Sequence, residues 1–285
     1  MKYLFILIII VLLSGCGYIP VNTPFIVSDD SYEKELLDND TIRVLSWNVY
    51  KENNETEWAK EFKTIVNIKK PNIILLQEFI LDTNMVASFS ECSKLGYEFA
   101  PNTYIKKYKA HSGVLTASSI KPIMVNSVFS NGLEPITKTP KVILFTKYTL
   151  SSSNKYLLVA NVHAINFEIS NNKFEDQLQN MSKIVIAHDG PVIVAGDFNT
   201  WSESRYEYLN EMTKKNGLTK IDFGSKSDNI TCSFGNPLDH IFYSENDLEL
   251  IKKSSDVIDN IESSDHLPLF IELIVRNNNF ANTYK

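Results

Sequence analysis

The sequence has no excess of positive charge. Among its 285 residues, 28 Lys and Arg are outnumbered by 34 Asp and Glu, so the formal net charge is −6. A tight, non-specific nucleic-acid-binding protein presents a basic stripe or patch, and this composition excludes a protein that depends on one. An acidic surface does not exclude an enzyme that acts on nucleic acid, because a bound metal ion reverses the sign of the charge at its own site.

Cysteine is scarce. The chain has three cysteines, Cys16, Cys92 and Cys232, and no C-x-x-C pair. A zinc site built on cysteine is therefore not expected. Cys92 and Cys232 either form a disulfide or stay as free thiols, and the alternatives remain open because sequence does not show whether two cysteines lie close together.

A hydrophobic run long enough to cross a membrane is also lacking. The apolar run Tyr3–Leu13 has 11 residues, whereas a spanning helix needs about 20. Lys2 before it and small residues after it are typical of a secretory signal. The stretch Leu13-Ser14-Gly15-Cys16 resembles the bacterial lipoprotein signal, in which the cysteine becomes the lipidated first residue.

We therefore predict a signal peptide over residues 1–15 and lipidation of Cys16. The lipid would hold the protein at a membrane of the bacterial cell envelope without spanning it. Two alternatives remain open, namely a plain signal peptide with an incidental cysteine and an uncleaved anchor. Residues 16–40 show no clear periodicity and are predicted to be a linker. One domain is expected over residues 41–276, followed by a polar tail over residues 277–285.

The domain is predicted to be α/β. Nearly continuous apolar strands are typical of sheets covered on both faces, and helical patterns between them indicate a layered sandwich. The predicted helices cover residues 55–69, 172–187 and 203–215. The predicted strands lie within residues 42–49, 73–76, 113–117, 121–128, 142–148, 156–162, 191–195, 239–243, 248–252 and 267–275.

Polar side chains stand repeatedly at the ends of these apolar strands. Ligands of open α/β sheets bind outside strand ends, where rigid elements hold polar groups on loops. Charged groups this close to apolar cores need partners or a metal. The residues in question are Asn48, Glu78, His163, Asp197, Asn199, Asp239, Asp265 and His266.

Three of these residues suit a hard cation. Asn48, Glu78 and Asp265 offer oxygen atoms, which Mg²⁺ and Ca²⁺ prefer as ligands. Mg²⁺ keeps several of its waters, so few protein ligands are enough. We expect Mg²⁺ or Mn²⁺, with Ca²⁺ as a further candidate.

The other five suit acid–base chemistry at a phosphate. His266 with Asp239 has the ingredients of an oriented general base, because a carboxylate fixes the tautomer and direction of the ring. Asp197 is suited to hold or deprotonate an attacking water. His163 and Asn199 are suited to donate hydrogen bonds to phosphate oxygens as charge builds there.

Together these pieces resemble the endonuclease/exonuclease/phosphatase superfamily, which contains deoxyribonuclease I, abasic-site endonucleases and neutral sphingomyelinases. The resemblance runs from residue 42 to about 275 and keeps the family order. It implies a four-layered α/β sandwich with two central mixed sheets flanked by helices. The matching motifs are Ser46-Trp47-Asn48, Leu76-Gln77-Glu78, Asn161-Val162-His163, Gly196-Asp197-Phe198-Asn199, Leu238-Asp239 and Ser264-Asp265-His266.

The resemblance implies the same roles as the chemistry of the side chains, with Asp265 as either a metal ligand or a neighbouring carboxylate. His163 matches the deoxyribonuclease and sphingomyelinase branches, since abasic-site endonucleases tend to use tyrosine there. One departure is that many members carry arginine where this chain has Ser119. Lys121 and Lys141 are the candidates to replace that basic phosphate contact.

Other polar and aromatic residues favour structural roles. A strand places neighbouring side chains on opposite faces, so His240 beside Asp239 is expected to be structural. Asn199 is also suited to begin the following helix. Trp201 and Tyr206 are expected either at the rim of the site or in the core.

The functional expectation is a divalent-metal-dependent phosphodiesterase, nuclease-like and monomeric, in which an Asp–His pair activates water. Its substrate is a phosphodiester of nucleic acid or of a phospholipid head group, so a sphingomyelinase or phospholipase C-type activity is the alternative. A catalytically inactive, lipid-anchored binding module is a hypothesis from a different class, because a fold of this kind hosts many functions.

Overall fold

The structure is a computed structural model, which describes residues 17–37, 41–51, 56–84, 87, 95–151, 154–168 and 170–276. The predicted signal peptide, Cys16, Cys92 and the tail over residues 277–285 lie outside the described residues. Within the described part of the chain, no helix is long and apolar enough to cross a membrane.

The described part of the chain has three longer helices, a 3-10 helix over Gly224–Asn229 and seventeen strands. The helices are α1 Thr56–Lys69, α2 Asn172–Ile186 and α3 Glu203–Lys215. The strands as far as the middle of the chain are β1 Tyr18–Pro20, β2 Val27–Asp29, β3 Thr41–Asn48, β4 Ile73–Leu81, β5 Gly96–Ile105, β6 Ala110–Ser118, β7 Met124–Phe129, β8 Val142–Thr149 and β9 Tyr156–His163. Those that follow are β10 Val192–Asp197, β11 Leu218–Lys220, β12 Cys232–Ser233, β13 Asn236–Pro237, β14 Asp239–Ser244, β15 Leu248–Leu250, β16 Asp256–Val257 and β17 Leu269–Val275.

Two mixed sheets form the centre of the molecule. In the first, the described strands run in the order β1-β5-β6-β4-β3-β17-β15, with β2 paired to β5 and β16 to β17. In the second the order is β11-β14-β10-β9-β8-β7. Each sheet has one parallel pair, β3 with β4 and β9 with β10, among antiparallel neighbours.

The two-residue period of the strands fills the layers on both sides of each sheet. In β3, Ile42 and Val44 face the second sheet, where they share a core with Val159 and Ile193. Leu45 and Trp47 point the other way, onto α1.

The second sheet is covered on its outer face by α2 and α3. Val192 and Val194 of β10 pack there against Phe174, Leu178 and Leu209 of the two helices. The order is therefore helix, sheet, sheet, helices, and the predicted four-layered sandwich is confirmed.

The N-terminal segment differs from the expected linker. Both β1 and β2 pair with β5 at the edge of the first sheet. Leu37 is buried in the core between the sheets. Within the described residues, the folded body therefore begins before residue 41, because the segment contributes both ladder hydrogen bonds and apolar contact.

Candidate functional site

Three of the predicted residues lie side by side at one end of the second sheet. His163 ends β9, Asp197 ends β10 and Asp239 begins β14. The register places Asp197 opposite His163 on one side and opposite Asp239 on the other. The three side chains therefore start from adjacent strands, about 5 Å apart.

The close approach of β9 and β10 depends on Gly196. Its φ is 142°, and a Cβ atom added there would lie 2.0 Å from the carbonyl oxygen of Val162. Only glycine fits such a backbone contact without strain. The glycine of the Gly-Asp-Phe-Asn motif thus brings Asp197 alongside His163.

The first sheet supplies Asn48 and Glu78. Asn48 ends β3 and lies opposite Gln77 of β4, one residue before Glu78. The register of β4 shifts between Leu76 and Phe79, and Glu78 has a φ of 57°. Such a bulge redirects a side chain out of the strand alternation, and here Glu78 lines the cavity described below.

Hydrogen bonds join the two sheets at this end. Asn48 Nδ2 donates to Asp197 Oδ2 at 2.9 Å. The other oxygen of Asp197 accepts from the backbone N–H of Asn199 at 2.9 Å. Asn199, at a φ of 49°, donates through Nδ2 to the carbonyl of Ala164 at 3.1 Å. Asp197 is therefore fixed from both sheets.

His266 and Asp239 form a hydrogen-bonded pair, with 2.7 Å between Nδ1 and Oδ2. The loop that carries His266 is tied to β3. Trp47 Nε1 donates to the carbonyl of His266 at 2.9 Å, and Ser264 Oγ donates to the carbonyl of Asn48 at 2.7 Å. The Ser-Trp-Asn and Ser-Asp-His motifs therefore hold each other in place.

The surroundings raise the pKa values of both His266 and Asp197. Burial disfavours the charged form of His266, but the charge and hydrogen bond of Asp239, helped by Asp197, outweigh it and raise the pKa of His266 to about 10. Burial raises the pKa of Asp197 to about 6, against the attraction of His266. Both groups therefore hold a proton more tightly than they do in water.

A cluster of buried charge surrounds Glu78. Lys51 pairs directly with Glu78, and Lys141 Nζ lies 3.6 Å from Glu78 Oε1. Lys141 Nζ is also 2.8 Å from His163 Nε2 and 3.3 Å from Glu134 Oε1. Burial and the neighbouring lysine lower the pKa of His163 well below its ordinary value.

Of the two lysines considered as replacements for the missing arginine, Lys141 lies in this cluster. Lys121 instead pairs with Asp30 at 3.8 Å on the exposed surface.

These groups face a cavity of about 650 Å³. Seven of the eight predicted site residues line it, and Asp239 lies directly behind His266. The rim carries exposed aromatic rings from Tyr50, Phe167 and Phe234. The structure thus brings together all eight residues singled out from the sequence.

The donor set fits a hard cation that keeps several waters. Among the described residues, no three side chains of His, Cys, Asp or Glu are grouped as metal ligands, but the predicted set is one amide and two carboxylates. Asn48, Glu78 and Asp265 all line the cavity. The site also carries an excess of acid, because Glu78, Glu134, Asp197, Asp239 and Asp265 outnumber Lys51, Lys141 and His266. The oxygen donors and the excess of acid are both consistent with Mg²⁺.

Four further residues that the sequence singled out lie in different surroundings. His240 is buried, its Nε2 lies 2.8 Å from Thr200 Oγ1, and it does not line the cavity. Trp201 lines the cavity, whereas Tyr206 packs against His240 and Lys220. Cys232 is an exposed free thiol.

Sequence reasoning missed Lys51 and Glu134. Lys51 follows Asn48 by only three residues, so its proximity to the site had a signal in the sequence. Glu134 lies in the loop between β7 and β8, five residues after β7 ends, so no strand end marked it out. Tyr18, from the expected linker, also lines the cavity.

A model of the Endonuclease/Exonuclease/phosphatase family matches residues 45–266, a span that contains all eight predicted site residues. The chain belongs to the endonuclease/exonuclease/phosphatase family. Members of this family are typically metal-dependent phosphoester hydrolases that use divalent metals such as Mg²⁺.

A relative and two solved structures are similar to this chain along most of its length. A UPF0294 protein of Photorhabdus laumondii is 33% identical over 253 residues, covering 89% of this chain and 87% of the relative. The catalytic domain of human Nocturnin with bound sulfate has a similar fold, with a TM-score of 0.59, 20% identity and coverage of 89% and 98% of the two chains. The 2′,3′-cyclic phosphatase ANGEL2 gives a TM-score of 0.60 at 15% identity, with coverage of 90% and 99%. At these identities the two structures show the fold alone.

Proposed function

We propose that this protein is a divalent-metal-dependent phosphodiesterase in which the Asp239–His266 pair activates water for direct attack on phosphorus. The observation that carries the proposal is the 2.7 Å contact between Asp239 and His266 at a cavity that Asp197, Asn48 and Glu78 also line. A buried carboxylate–imidazole pair beside hard-cation donors serves proton transfer at a charged centre better than it serves packing.

The position of each residue indicates a different role in the reaction. Asp239 holds the Nδ1 side of His266, so Nε2 is the nitrogen left for water. Asp197 is fixed by Asn48 and Asn199 and orients the same water. Asn199, in the left-handed region, donates from its backbone and side-chain amides to Asp197 and so keeps that carboxylate in place.

The divalent cation would be held by Asn48, Glu78 and Asp265. When bound, it supplies positive charge that neutralises the phosphate oxygens and disfavours protonation of His266 beside it. The positive charge of the cation would offset the excess of carboxylates around the cavity.

The substrate we propose is a phosphodiester of nucleic acid or of a phospholipid head group. The exposed rings of Tyr50, Phe167 and Phe234 at the rim suit contact with an organic group on either side of a phosphate. The alternative of an inactive binding module loses support, because four of the five predicted catalytic side chains line the cavity and the fifth, Asp239, is hydrogen-bonded to His266.

The test is hydrolysis by the full chain purified in detergent. With Mg²⁺ or Mn²⁺, we expect turnover of a generic phosphodiester, and we expect chelation to abolish it. His266→Ala and Asp197→Ala should each lower kcat at least about 100-fold, as loss of a proton-transfer group does. The control is His188→Ala, because His188 follows α2 and does not line the cavity. Parallel assays on DNA, RNA, sphingomyelin and a phosphomonoester identify the class of substrate. Turnover that survives complete chelation would contradict the proposal.

We further propose that the protein is a monomeric lipoprotein of the bacterial cell envelope, tethered through Cys16. The support is the Leu-Ser-Gly-Cys signal and the 11-residue apolar run before it. Cys16→Ala should abolish incorporation of labelled fatty acid and release the protein from the membrane fraction. Unchanged labelling of that variant would refute the lipid anchor, and sedimentation of the detergent-solubilised protein tests the monomer.

A further inference from the structure

Lys141 is a buried lysine at the wall of the catalytic cavity. Its side chain is 8% exposed, and three polar groups surround its ammonium. His163 Nε2 lies at 2.8 Å, Glu134 Oε1 at 3.3 Å and Glu78 Oε1 at 3.6 Å. A charged lysine side chain that is this deeply buried needs polar partners of this kind.

The contact with His163 has a fixed direction. An ammonium group has three N–H donors and no acceptor. In the 2.8 Å contact Lys141 therefore donates, and His163 Nε2 accepts through its lone pair. His163 is then neutral with its proton on Nδ1, and Nε2 has no hydrogen to give to a substrate.

Because of this direction, Lys141 rather than His163 can donate a hydrogen bond to a substrate. Among the described residues, the ammonium of Lys141 hydrogen-bonds to His163, whereas Glu134 at 3.3 Å and Glu78 at 3.6 Å form ion pairs with it. Lys141 lines the cavity, so its remaining N–H donors are within reach of an acceptor there.

Glu134 holds the lysine in this position. Its Oε2 accepts from Thr137 Oγ1 at 2.9 Å, and its Oε1 accepts from the backbone N–H of Asn166 at 3.2 Å. A carboxylate fixed in this way can direct an ammonium toward the cavity without side-chain motion.

We propose that Lys141 is the hydrogen-bond donor to a non-bridging oxygen of the substrate phosphate, and that His163 acts as the acceptor that orients Lys141. The inference rests on the proposed phosphodiesterase function and assigns its phosphate contact. It also supplies the basic group that Ser119 does not provide.

The first experiment measures binding of inorganic phosphate to the full chain by calorimetry. Lys141→Met should weaken binding at least about 10-fold, and Lys141→Arg should retain part of it, because arginine keeps the charge. The double variant K141M/E134Q removes both buried charges, so it keeps the test valid if Lys141→Met does not fold. Lys121→Met is the matched control and should bind as the unmodified protein does. Wild-type phosphate affinity in folded K141M/E134Q would overturn the proposal.

The second experiment reads the tautomer of His163 by ¹⁵N NMR of the imidazole. We expect a protonated Nδ1 and an unprotonated Nε2, and in Lys141→Met we expect this preference to weaken. A protonated Nε2 in the unmodified protein would overturn the proposal. Neither readout requires turnover, so failure of the hydrolysis assay on every phosphoester would count against the proposed function alone.

Discussion

At the scale of single residues, the site is a set of groups whose proton affinities depend on one another. His266 is hydrogen-bonded to Asp239 at 2.7 Å, and the charge of Asp197 helps to raise its pKa. Asp197 in turn receives hydrogen bonds from Asn48 and Asn199. Removing any member therefore changes the charge state of the others, so single substitutions at the site are expected not to be additive.

The raised pKa of His266 predicts how stability depends on pH. The folded pKa of about 10 lies above the ordinary value of 6.5, so the charged imidazolium stabilises the folded state. This contribution is fully present below pH 6.5 and is lost as pH rises toward about 10. The raised pKa of Asp197 acts with the same sign in a lower window, between 3.8 and about 6.

The measurement is urea unfolding in chelator-containing buffer at pH 7 and pH 10. The unmodified protein and His188→Gln should lose free energy of unfolding between these values more steeply than His266→Gln. Equal slopes for His266→Gln and the unmodified protein would show that the pair with Asp239 does not carry this stability.

At the scale of elements, the sequence predicted the helices and strands that are marked by a pattern of neighbouring residues. The apolar strands β9 and β10 and the helix α3, with Ser202 as its N-cap, follow from periodicity and capping. His163, Asp197 and Asp239 sit at the ends of such strands, and the other five site residues lie within a few residues of a predicted strand end, so the set could be named before the structure.

The elements that escaped prediction depend on partners distant in sequence. The strand β5 contains Pro101 and the buried Glu98, neither typical of a strand. Glu98 is accommodated because Tyr32, from the N-terminal segment, donates to it at 2.8 Å. The bulge that redirects Glu78 also has no local signature, since it arises from the pairing of β4 with β6.

Arg205, next to the site, also has a structural role that the sequence did not predict. This fully buried residue of α3 donates to the carbonyls of Ile165 and Asn199 at 2.8 and 3.1 Å. Its guanidinium lies over the rings of Phe174 and Trp201. It thereby ties the loop after β9 to the loop after β10, although on the sequence it is one charge in a polar helix.

At the scale of the whole molecule, the N-terminal segment is joined to the folded body along the edge of the first sheet. Residues 18–20 line one edge of the first sheet, and Tyr18 reaches the cavity. If Cys16 carries the proposed lipid, the anchor is only two residues from a side chain of the site. The cavity would then be held close to the membrane surface rather than at the end of a long spacer.

This arrangement predicts that a chain starting at residue 41 is less stable than one starting at residue 17. The shorter chain loses the pairing of β1 and β2 with β5, the buried Leu37, and the hydroxyl that Tyr32 offers to Glu98. An unsatisfied buried acceptor costs about 1–3 kcal/mol, and loss of a buried leucine side chain costs about 2–5 kcal/mol. We therefore expect the free energy of unfolding, measured by urea denaturation, to fall by at least about 3 kcal/mol. Glu98→Gln should recover part of that loss in the shorter chain, because it removes the unpaired charge, but should destabilise the longer one. Equal stability of the two chains would return the segment to the role of a simple spacer.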